Sequence, residues 1–471
     1  MLFNSFDFIV FLTIVLIVYA LLQHRNQNRL LLVASYVFYG WWDWRFLSLI
    51  AVSTVVDFYC AGAIAASADQ SRKKRLLLVS VCSNLGILAF FKYFDFFAVS
   101  AASLLETVGL SASMPMLQIV LPVGISFYTF QTLGYTIDVY RGGSPVSRFD
   151  SFALYVAYFP QLVAGPIERS RSLLPQIERP RHVVIGDWVV GTQLIVVGFF
   201  KKLVIADGVA PYVDRAFANP GQLNGPEALL TLYLFALQIY GDFSGYTDIA
   251  RGVSRLFGIR LSLNFRQPYL SASISEFWRR WHISLSSWLR DYLYIPLGGN
   301  RSGSLWTVRN LMITMLLGGL WHGASWNFVI WGGMHGICLA LHRSWERRRG
   351  RDQPAQTRGV DLARMFRVFF TFHLICLLWV FFRAQDLATS IAVLGALAGP
   401  WTFPPVVPTV VGLLFLVTSF WLDLAAKDNA ESLPTRDSWN RWQTALLFAA
   451  LIAGISFVGE SNVRPFIYFQ F

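Results

Sequence analysis

The sequence predicts an all-α polytopic membrane protein with about eleven transmembrane or re-entrant helices. Of its 471 residues, 55% are hydrophobic and only 14% are charged, whereas soluble domains carry roughly 25% charged residues. Apolar runs of membrane-spanning length recur from one end of the chain to the other. The sequence lacks the ten-residue alternating strands of a membrane barrel, and an open sheet cannot satisfy its backbone in lipid.

The apolar runs give the individual elements in order. The first, residues 8–22, follows no basic segment and precedes no small-residue cleavage site, so we expect it to be a retained helix rather than a removed signal. The predicted spans or embedded segments lie near 6–22, 30–42, 46–67, 76–98, 117–138, 151–165, 184–205, 228–241, 308–345 (in two pieces), 366–388, 404–425 and 442–458. Together they predict one membrane domain over residues 1–471.

Charge predicts the orientation of these spans. The chain has 39 basic and 27 acidic residues, a net charge of +12. The basic residues cluster in loops, which indicates the positive-inside rule rather than nucleic-acid binding. The loops at 72–75 and 343–367 are rich in Lys and Arg, whereas those at 100–115 and 389–403 contain neither. We therefore expect the basic loops in the cytoplasm and both chain ends outside.

The middle third, residues 140–305, is interrupted by prolines and glycine pairs and carries charges between short apolar pieces. Irregular backbone at membrane depth is tolerated only where it is buried in protein or lines a wet cavity. This segment therefore predicts a cavity or funnel that opens toward the basic, cytoplasmic side.

Two histidines forty positions apart are the main candidates for chemistry. They lie in Glu276-Phe-Trp-Arg-Arg-Trp-His282 and in Gly318-Gly-Leu-Trp-His322-Gly-Ala-Ser-Trp326. Ionisable groups at membrane depth are rare and mark functional sites. A histidine, with a reference pKa of about 6.5, also exchanges protons near neutral pH.

The segment around His282 predicts an amphipathic helix. Ser273 and Glu276 form a capping-box pattern, so a helix is expected to start at about Ile274. Along one continuous helix, Trp278, His282 and Ser286 would share a face. The alternative is an interfacial helix that holds a purely structural histidine.

His322 follows a smooth apolar run at a Gly-Gly step, and Gly323 comes next. Small residues on both sides allow another backbone or a thin acyl chain to approach closely. Trp321 and Trp326 would form bulky walls. The alternative is a histidine that only hydrogen-bonds a neighbouring helix.

The remaining polar residues give weaker indications of function. His335 and His342 share a face of the next helix, and they would bind a metal ion only with a third ligand from elsewhere. We therefore expect a polar stripe inside the helix bundle rather than a metal site. Asp242 is expected to pair with Arg279 or Arg280, or to sit in a capped turn that breaks the helix. The four cysteines have no paired spacing and read as small buried hydrophobes: Cys60, Cys82, Cys338 and Cys376.

Several longer motifs resemble the membrane-bound O-acyltransferase superfamily, most closely the branch that includes the membrane subunit of alginate O-acetylation. The resemblance covers nearly the whole chain. It rests on the segments 121–128, 164–166, 242–246, 264–269, 276–286, 289–294, 297–301, 315–323 and 331–332, with weaker similarity at 379–383 and 465–471.

This resemblance implies a bowl of helices around a central tunnel, with His322 as the catalytic histidine and His282 as a second, supporting one. It also implies a location in a bacterial inner membrane and transfer of an acyl group, usually acetyl, from a cytoplasmic donor such as acetyl-coenzyme A to an extracytoplasmic polysaccharide such as alginate. The donor would be a substrate, and no bound cofactor is expected. A periplasmic or membrane-anchored acetyltransferase protein would complete the transfer to the polymer.

Two alternatives follow from the same sequence. One is transfer of D-alanine from a carrier protein for teichoic-acid modification, a reaction of another branch of the superfamily. The other is a transporter or membrane scaffold whose histidines line a pore without performing chemistry.

Overall fold

The regular structure of the protein is helical. The computed structural model describes residues 1–110, 117, 119–301, 303–349, 361–402, 406–427, 429, 431–435, 439–459 and 464–467, and within these ranges it contains no strand. The first ten helices are α1 Phe6–Leu21, α2 His24–Asp43, α3 Leu47–Ala66, α4 Gln70–Leu88, α5 Phe94–Thr107, α6 Ile125–Tyr140, α7 Phe149–Ala157, α8 Phe159–Leu162, α9 Ser170–Glu178 and α10 Ile185–Phe199. They are followed by α11 Asp207–Ala218, α12 Gly225–Leu256, α13 Ile274–Arg280, α14 Ile283–Leu289, α15 Ser304–His322, α16 Trp326–Arg349, α17 Leu362–Arg383, α18 Leu387–Ala396, α19 Val406–Ala426 and α20 Arg441–Val458.

Six helical stretches in the described ranges are long and apolar enough to cross a membrane. They are His24–Ala66, Gln70–Thr107, Ile185–Ala218, Leu362–Arg383, Thr409–Ala426 and Arg441–Val458. Large apolar side chains also point outward, for example Leu21 at 80% exposed and Phe457 at 89%, as expected where the surrounding solvent is lipid. The polytopic membrane fold is therefore confirmed, while the number of eleven segments remains a prediction.

The chain forms two compact units: residues 1–195 with 249–262, and residues 196–248 with 263–471. In the first unit, α3, α4 and α6 enclose a buried carboxylate. Ser80 and Asn84 donate hydrogen bonds to Asp57, and Thr132 donates to the side-chain oxygen of Asn84 at 3.2 Å. These helices thus satisfy a charged group that would otherwise be costly at membrane depth.

In the second unit, α15 and α16 form a tight antiparallel hairpin. A Cβ atom on Gly319 would lie 2.1 Å from the carbonyl oxygen of Phe328, and one on Gly332 would lie 2.2 Å from that of Met315. Only glycine permits this contact between helix backbones. The predicted close approach beside His322 is therefore confirmed, and the hairpin places His322 directly before its turn.

In the described part of the chain, three wide, π-type helical turns interrupt the α-helices, at Ala89–Tyr93, Phe200–Ala206 and Arg290–Tyr294. Such turns are rare and often occur at functional sites. The last two lie in the second unit, where Phe200–Ala206 carries a buried lysine and Arg290–Tyr294 contributes to a cavity wall.

Candidate active site

His322 is the last residue of α15, and it is only 5% exposed. The indole ring of Trp331, on α16, packs edge-on against its imidazole at a centroid distance of 5.2 Å, and Phe382 of α17 lies at the same distance. The next residue, Gly323, has no room for a side chain because a Cβ atom there would overlap the ring of Phe328. The hairpin turn and the aromatic rings thus fix the position of this imidazole.

His282 is fully buried between two short helices. Its backbone adopts the left-handed conformation, with φ 44° and ψ 54°. Its Nδ1 lies 3.2 Å from the side-chain oxygen of Asn264, which also accepts hydrogen bonds from the backbone N–H and the hydroxyl of Ser284. Because that oxygen only accepts, Nδ1 carries the proton and Nε2 has the lone pair. Burial lowers the pKa of His282 to about 3, so the ring is neutral at physiological pH.

The structure brings the two predicted histidines together. Their ring centroids are 6.4 Å apart, and the indole of Trp321 lies 4.9 Å from His322 and 5.9 Å from His282. Forty residues of sequence separate the two positions. The helix break at His282 and the end of α15 therefore converge on one place in the second unit.

A cavity of about 210 Å³ adjoins His322. Trp331 and Arg343 both line it, and they are twelve residues apart on α16, or about 18 Å along the helix. Arg290 also lines the cavity, and its Nε donates to the carboxylate of Asp291 at 2.8 Å. The other lining side chains are largely apolar: Trp278, Leu285, Leu289, Leu311, Met315 and Leu339.

The cavity therefore combines a histidine, an apolar wall and two arginines. It lies among α14, α15, α16 and the wide turn at Arg290–Tyr294, and so within the second unit. Such a site suits a ligand with a long, mostly apolar arm and an anionic end.

The single helix expected around His282 is wrong. Ser273 does cap a helix that begins at Ile274, as predicted, but this helix ends at Arg280, and α14 begins after His282. Glu276 accepts a hydrogen bond from the backbone of Ala272 rather than of Ser273. Trp278 and Ser286 still line the cavity, whereas His282 does not. The left-handed backbone of His282 turns the chain between the two helices.

The arginine partner expected for Asp242 is also wrong, and so is the predicted helix break. Asp242 lies inside the continuous 32-residue helix α12 and pairs with Lys202 at 2.7 Å. Lys202 also pairs with Asp207 at 2.8 Å, and the backbone N–H of Ile467 donates to Asp242 at 2.7 Å. The aromatic ring of Phe466 lies 4.8 Å from the ammonium group of Lys202. The C-terminal segment thus completes a buried ion group; residues 468–471 lie outside the described ranges.

His335 and His342 lie on α16 as expected. The indole N–H of Trp278 donates to Nδ1 of His335 at 3.3 Å, and His342 lies 3.3 Å from the hydroxyl of Ser275. Within the described part of the chain, no group of three or more His, Cys, Asp or Glu side chains could hold a metal ion. Of the cysteines, Cys60 and Cys376 are buried as predicted, Cys338 is half-buried and Cys82 is exposed, on a helix whose outer face is apolar.

Sequence reasoning singled out Trp278 beside His282 but did not identify three other residues of the cavity wall: Trp331 as part of its aromatic surface, and Arg290 and Arg343 as its cationic residues. A spacing signal was available for Trp331, since it lies one helical turn before His335 on α16. The two arginines come from elements 53 residues apart in sequence, so no local pattern joins them.

Comparison with known proteins decides the family. The sequence profile of the membrane-bound O-acyltransferase family matches residues 36–384. The chain belongs to this family. It is also 40% identical to a probable alginate O-acetylase AlgI of Pseudomonas putida, over 100% of both chains.

Two further relatives mark the breadth of the family. A peptidoglycan O-acetyltransferase of Helicobacter pylori is 35% identical over 85% of this chain and 80% of its own length. A teichoic acid D-alanyltransferase of Streptococcus thermophilus is 30% identical, over 48% of this chain and 58% of its own. The chain is therefore a multi-pass membrane O-acyltransferase, similar to alginate O-acetylases over its full length.

Proposed function

We propose that this chain is an inner-membrane O-acetyltransferase subunit that moves an acetyl group from a cytoplasmic thioester to an acceptor hydroxyl on the outer side, for O-acetylation of a polysaccharide. The observation that carries the proposal is the pair of histidines, with rings 6.4 Å apart, beside a cavity that His322 lines together with Arg290 and Arg343.

His322 is the general base. It takes the proton from the acceptor hydroxyl while the hydroxyl oxygen attacks the thioester carbonyl carbon. The carbon–sulfur bond of the resulting tetrahedral species then breaks, and the imidazolium returns its proton to the thiolate. The products are an O-acetyl ester and a free thiol, so atoms and charge balance. General-base catalysis of this kind contributes about 10²–10⁴-fold in rate.

His282 supports this base from behind. Its Nδ1–H is committed to Asn264, and its ring is neutral because the site is dry. A second buried neutral imidazole places an aromatic, weakly polar surface next to His322 without a competing charge. We assign it a supporting role, with His322 as the group that handles the proton.

Acetyl-coenzyme A, or another acetyl thioester, is the donor that the cavity wall favours. Arg290 and Arg343 suit the phosphates of such a donor, and the apolar lining suits its arm. Arg343 also lies on α16 at the start of the predicted basic loop 343–367, which has eight arginines and three acidic residues and belongs in the cytoplasm by the positive-inside rule. Residues 350–360 of this loop lie outside the described ranges.

In this proposal the final transfer to the polymer requires a partner protein. The partner is a periplasmic or membrane-anchored acetyltransferase that delivers the acetyl group to the polymer. The segment around Trp401 is one candidate for its docking. Trp401 is 65% exposed, yet it is held in place because its indole donates to Leu397 and packs against Gly225. Phe403, Pro404 and Pro405 lie outside the described ranges, and so do residues 111–115 of the other predicted loop without Lys or Arg, residues 100–115.

The test compares His322→Ala with His182→Ala, an exposed histidine outside the site. Both variants are produced in cells that make the polymer and its partner, and the acetyl content of the polymer is measured together with the amount of folded protein in the membrane. We expect His322→Ala to lose acetylation by at least about 10²-fold and His182→Ala to match the wild type. The purified chain given donor and polymer without the partner is expected to leave the polymer unmodified.

Three outcomes would overturn parts of the proposal. Normal acetylation by a folded His322→Ala protein removes the catalytic assignment. Efficient polymer acetylation by the chain alone removes the partner. Transfer of D-alanine from a carrier protein would instead support the teichoic-acid alternative. Passage of an intact substrate without release of a free thiol would support the transporter alternative.

A further inference from the structure

We propose that the indole N–H of Trp331 donates a hydrogen bond to the thioester carbonyl oxygen and stabilises the negative charge that forms there during acetyl transfer. This inference rests on the proposed function, because it assigns the second half of the same reaction. A base alone does not account for acyl transfer, since the tetrahedral oxyanion also needs a donor.

The first observation is where Trp331 lies. Its side chain lines the cavity, and its ring meets the imidazole of His322 edge-on at a centroid distance of 5.2 Å. A thioester carbonyl bound within reach of an acceptor hydroxyl on His322 therefore lies next to this indole.

The second observation is the state of the N–H group. The Nε1 atom of Trp331 is buried and has no hydrogen-bond acceptor among the described residues. An indole nitrogen only donates, and buried donors in proteins normally find an acceptor. A bound carbonyl oxygen supplies the missing acceptor.

The neighbours separate Trp331 from other tryptophans. Trp278 also lines the cavity, but its N–H already donates to His335. The N–H of Trp281 is buried without an acceptor in the described ranges, but Trp281 is not part of the cavity wall. Trp331 alone among these three combines an available N–H with a position on the wall.

The ring of Trp331 is also held rigidly. Trp379 stacks on it at 5.6 Å and 16°, Phe382 lies at 5.2 Å, and His335 lies at 4.7 Å. Donors stabilise a transition state best when their orientation is fixed before the reaction, because no reorganisation is then required. This packing provides such a fixed orientation.

The test removes the N–H group and keeps the ring. Trp331 is replaced by phenylalanine and, in a second variant, by β-(3-benzothienyl)alanine, in which sulfur takes the place of the indole N–H in a ring of nearly the same shape. The matched control is Trp442→Phe, at a tryptophan of α20 that is 79% exposed and lies outside the cavity wall. Each protein is assayed with its partner for kcat and KM.

We expect both Trp331 variants to lose about 10²–10³-fold in kcat with little change in KM, and the control to stay close to the wild type. A second readout uses a non-transferable ketone analogue of the acetyl thioester, labelled with ¹³C at the carbonyl. Its infrared carbonyl stretch should move to lower frequency on the wild type and on His322→Ala, and return toward the solution value on the benzothienylalanine variant.

Near-normal kcat in the benzothienylalanine variant would overturn this inference, whatever phenylalanine does to folding. A rise in KM at unchanged kcat would also overturn it, because it would limit Trp331 to ground-state binding. Loss of activity in His322→Ala alongside an active Trp331 variant leaves the proposed function intact, whereas absence of acetyl transfer in the wild type removes the proposed function itself.

Discussion

At the scale of single residues, the backbone of His282 is the most informative feature. Non-glycine residues with positive φ are uncommon, and they cluster where the surrounding structure enforces them. Here the enforcing contact is Asn264, whose side-chain oxygen accepts three hydrogen bonds, one from His282 and two from Ser284. Asn264 thus determines both the turn between α13 and α14 and the tautomer of His282.

Replacing Asn264 by Ala should therefore disturb the site strongly, although the Asn264 side chain carries no charge. Three buried donors would lose their acceptor, at about 1–3 kcal/mol for a group left unsatisfied, and His282 would lose its fixed orientation. We expect a lower melting temperature of the purified protein and strongly reduced acetyl transfer. Ser284→Ala, which removes only one of the three donors, should be much milder. Equal activity in Asn264→Ala and the wild type would mean that the position of His282 does not matter for transfer.

Residue-scale prediction from sequence succeeded where the signal was local. Ser273 was recognisable as a helix cap, and the glycines around His322 indicated close packing. The left-handed turn at His282 was not predictable, because only a small fraction of histidines adopt this conformation even though the residue is enriched in it, and the contact with Asn264 is a long-range one. The available N–H of Trp331 likewise depends on which acceptors the fold places nearby.

At the scale of elements, the α15–α16 hairpin connects glycine spacing to chemistry. The Gly319 and Gly332 backbones meet, and the Cα of each would lie only 3.1 Å from a Cβ on the other. This contact sets the separation of the two helices that carry His322 and Trp331. The close contact of these two glycines therefore sets the distance between His322, the proposed base, and Trp331, the proposed hydrogen-bond donor to the thioester carbonyl.

The neighbouring glycines of α16 provide a matched test of this dependence. A Cβ on Gly332 would overlap the Met315 carbonyl oxygen at 2.2 Å, whereas one on Gly333 would meet only the end of the Leu316 side chain at 3.3 Å. Gly332→Ala should push the helices apart, with a loss of stability of about 1–3 kcal/mol, as for other overpacked sites, and a loss of transfer. Gly333→Ala should be tolerated. Thermal unfolding and transfer assays check both, and equal behaviour of the two variants would contradict a backbone contact at Gly332.

At the scale of the whole molecule, composition was enough to predict a helical membrane protein, and long motifs were enough to identify the family. Pairings between distant charges were not accessible. One buried ion group contains Lys202, Asp207 and Asp242, and it is completed by the C-terminal Phe466 and Ile467. The sequence near Asp242 gives no indication of a lysine partner forty residues earlier. The expected arginine partner was wrong because only the packed fold determines which cation reaches a buried carboxylate.

The direction of transfer depends on the orientation of the chain, which charge predicts and labelling can measure. Ser71 precedes the basic cluster Arg72–Arg75, whereas Thr402 follows Trp401 in a segment without Lys or Arg, and both side chains are exposed. The positive-inside rule places the first in the cytoplasm and the second outside. Single cysteines are introduced at each position after the four native cysteines are replaced, since Cys82 is itself exposed.

In intact spheroplasts, an impermeant maleimide should label Thr402→Cys at once and Ser71→Cys only after the membrane is permeabilised. The reason is electrostatic: basic segments next to a span are retained on the cytoplasmic side. Under the proposed function, the donor would then arrive from the cytoplasmic side, and the partner would meet the chain on the side of Thr402. The reverse labelling pattern would place the arginine-lined part of the cavity outside, and a cytoplasmic thioester would then have no route to His322 along this wall.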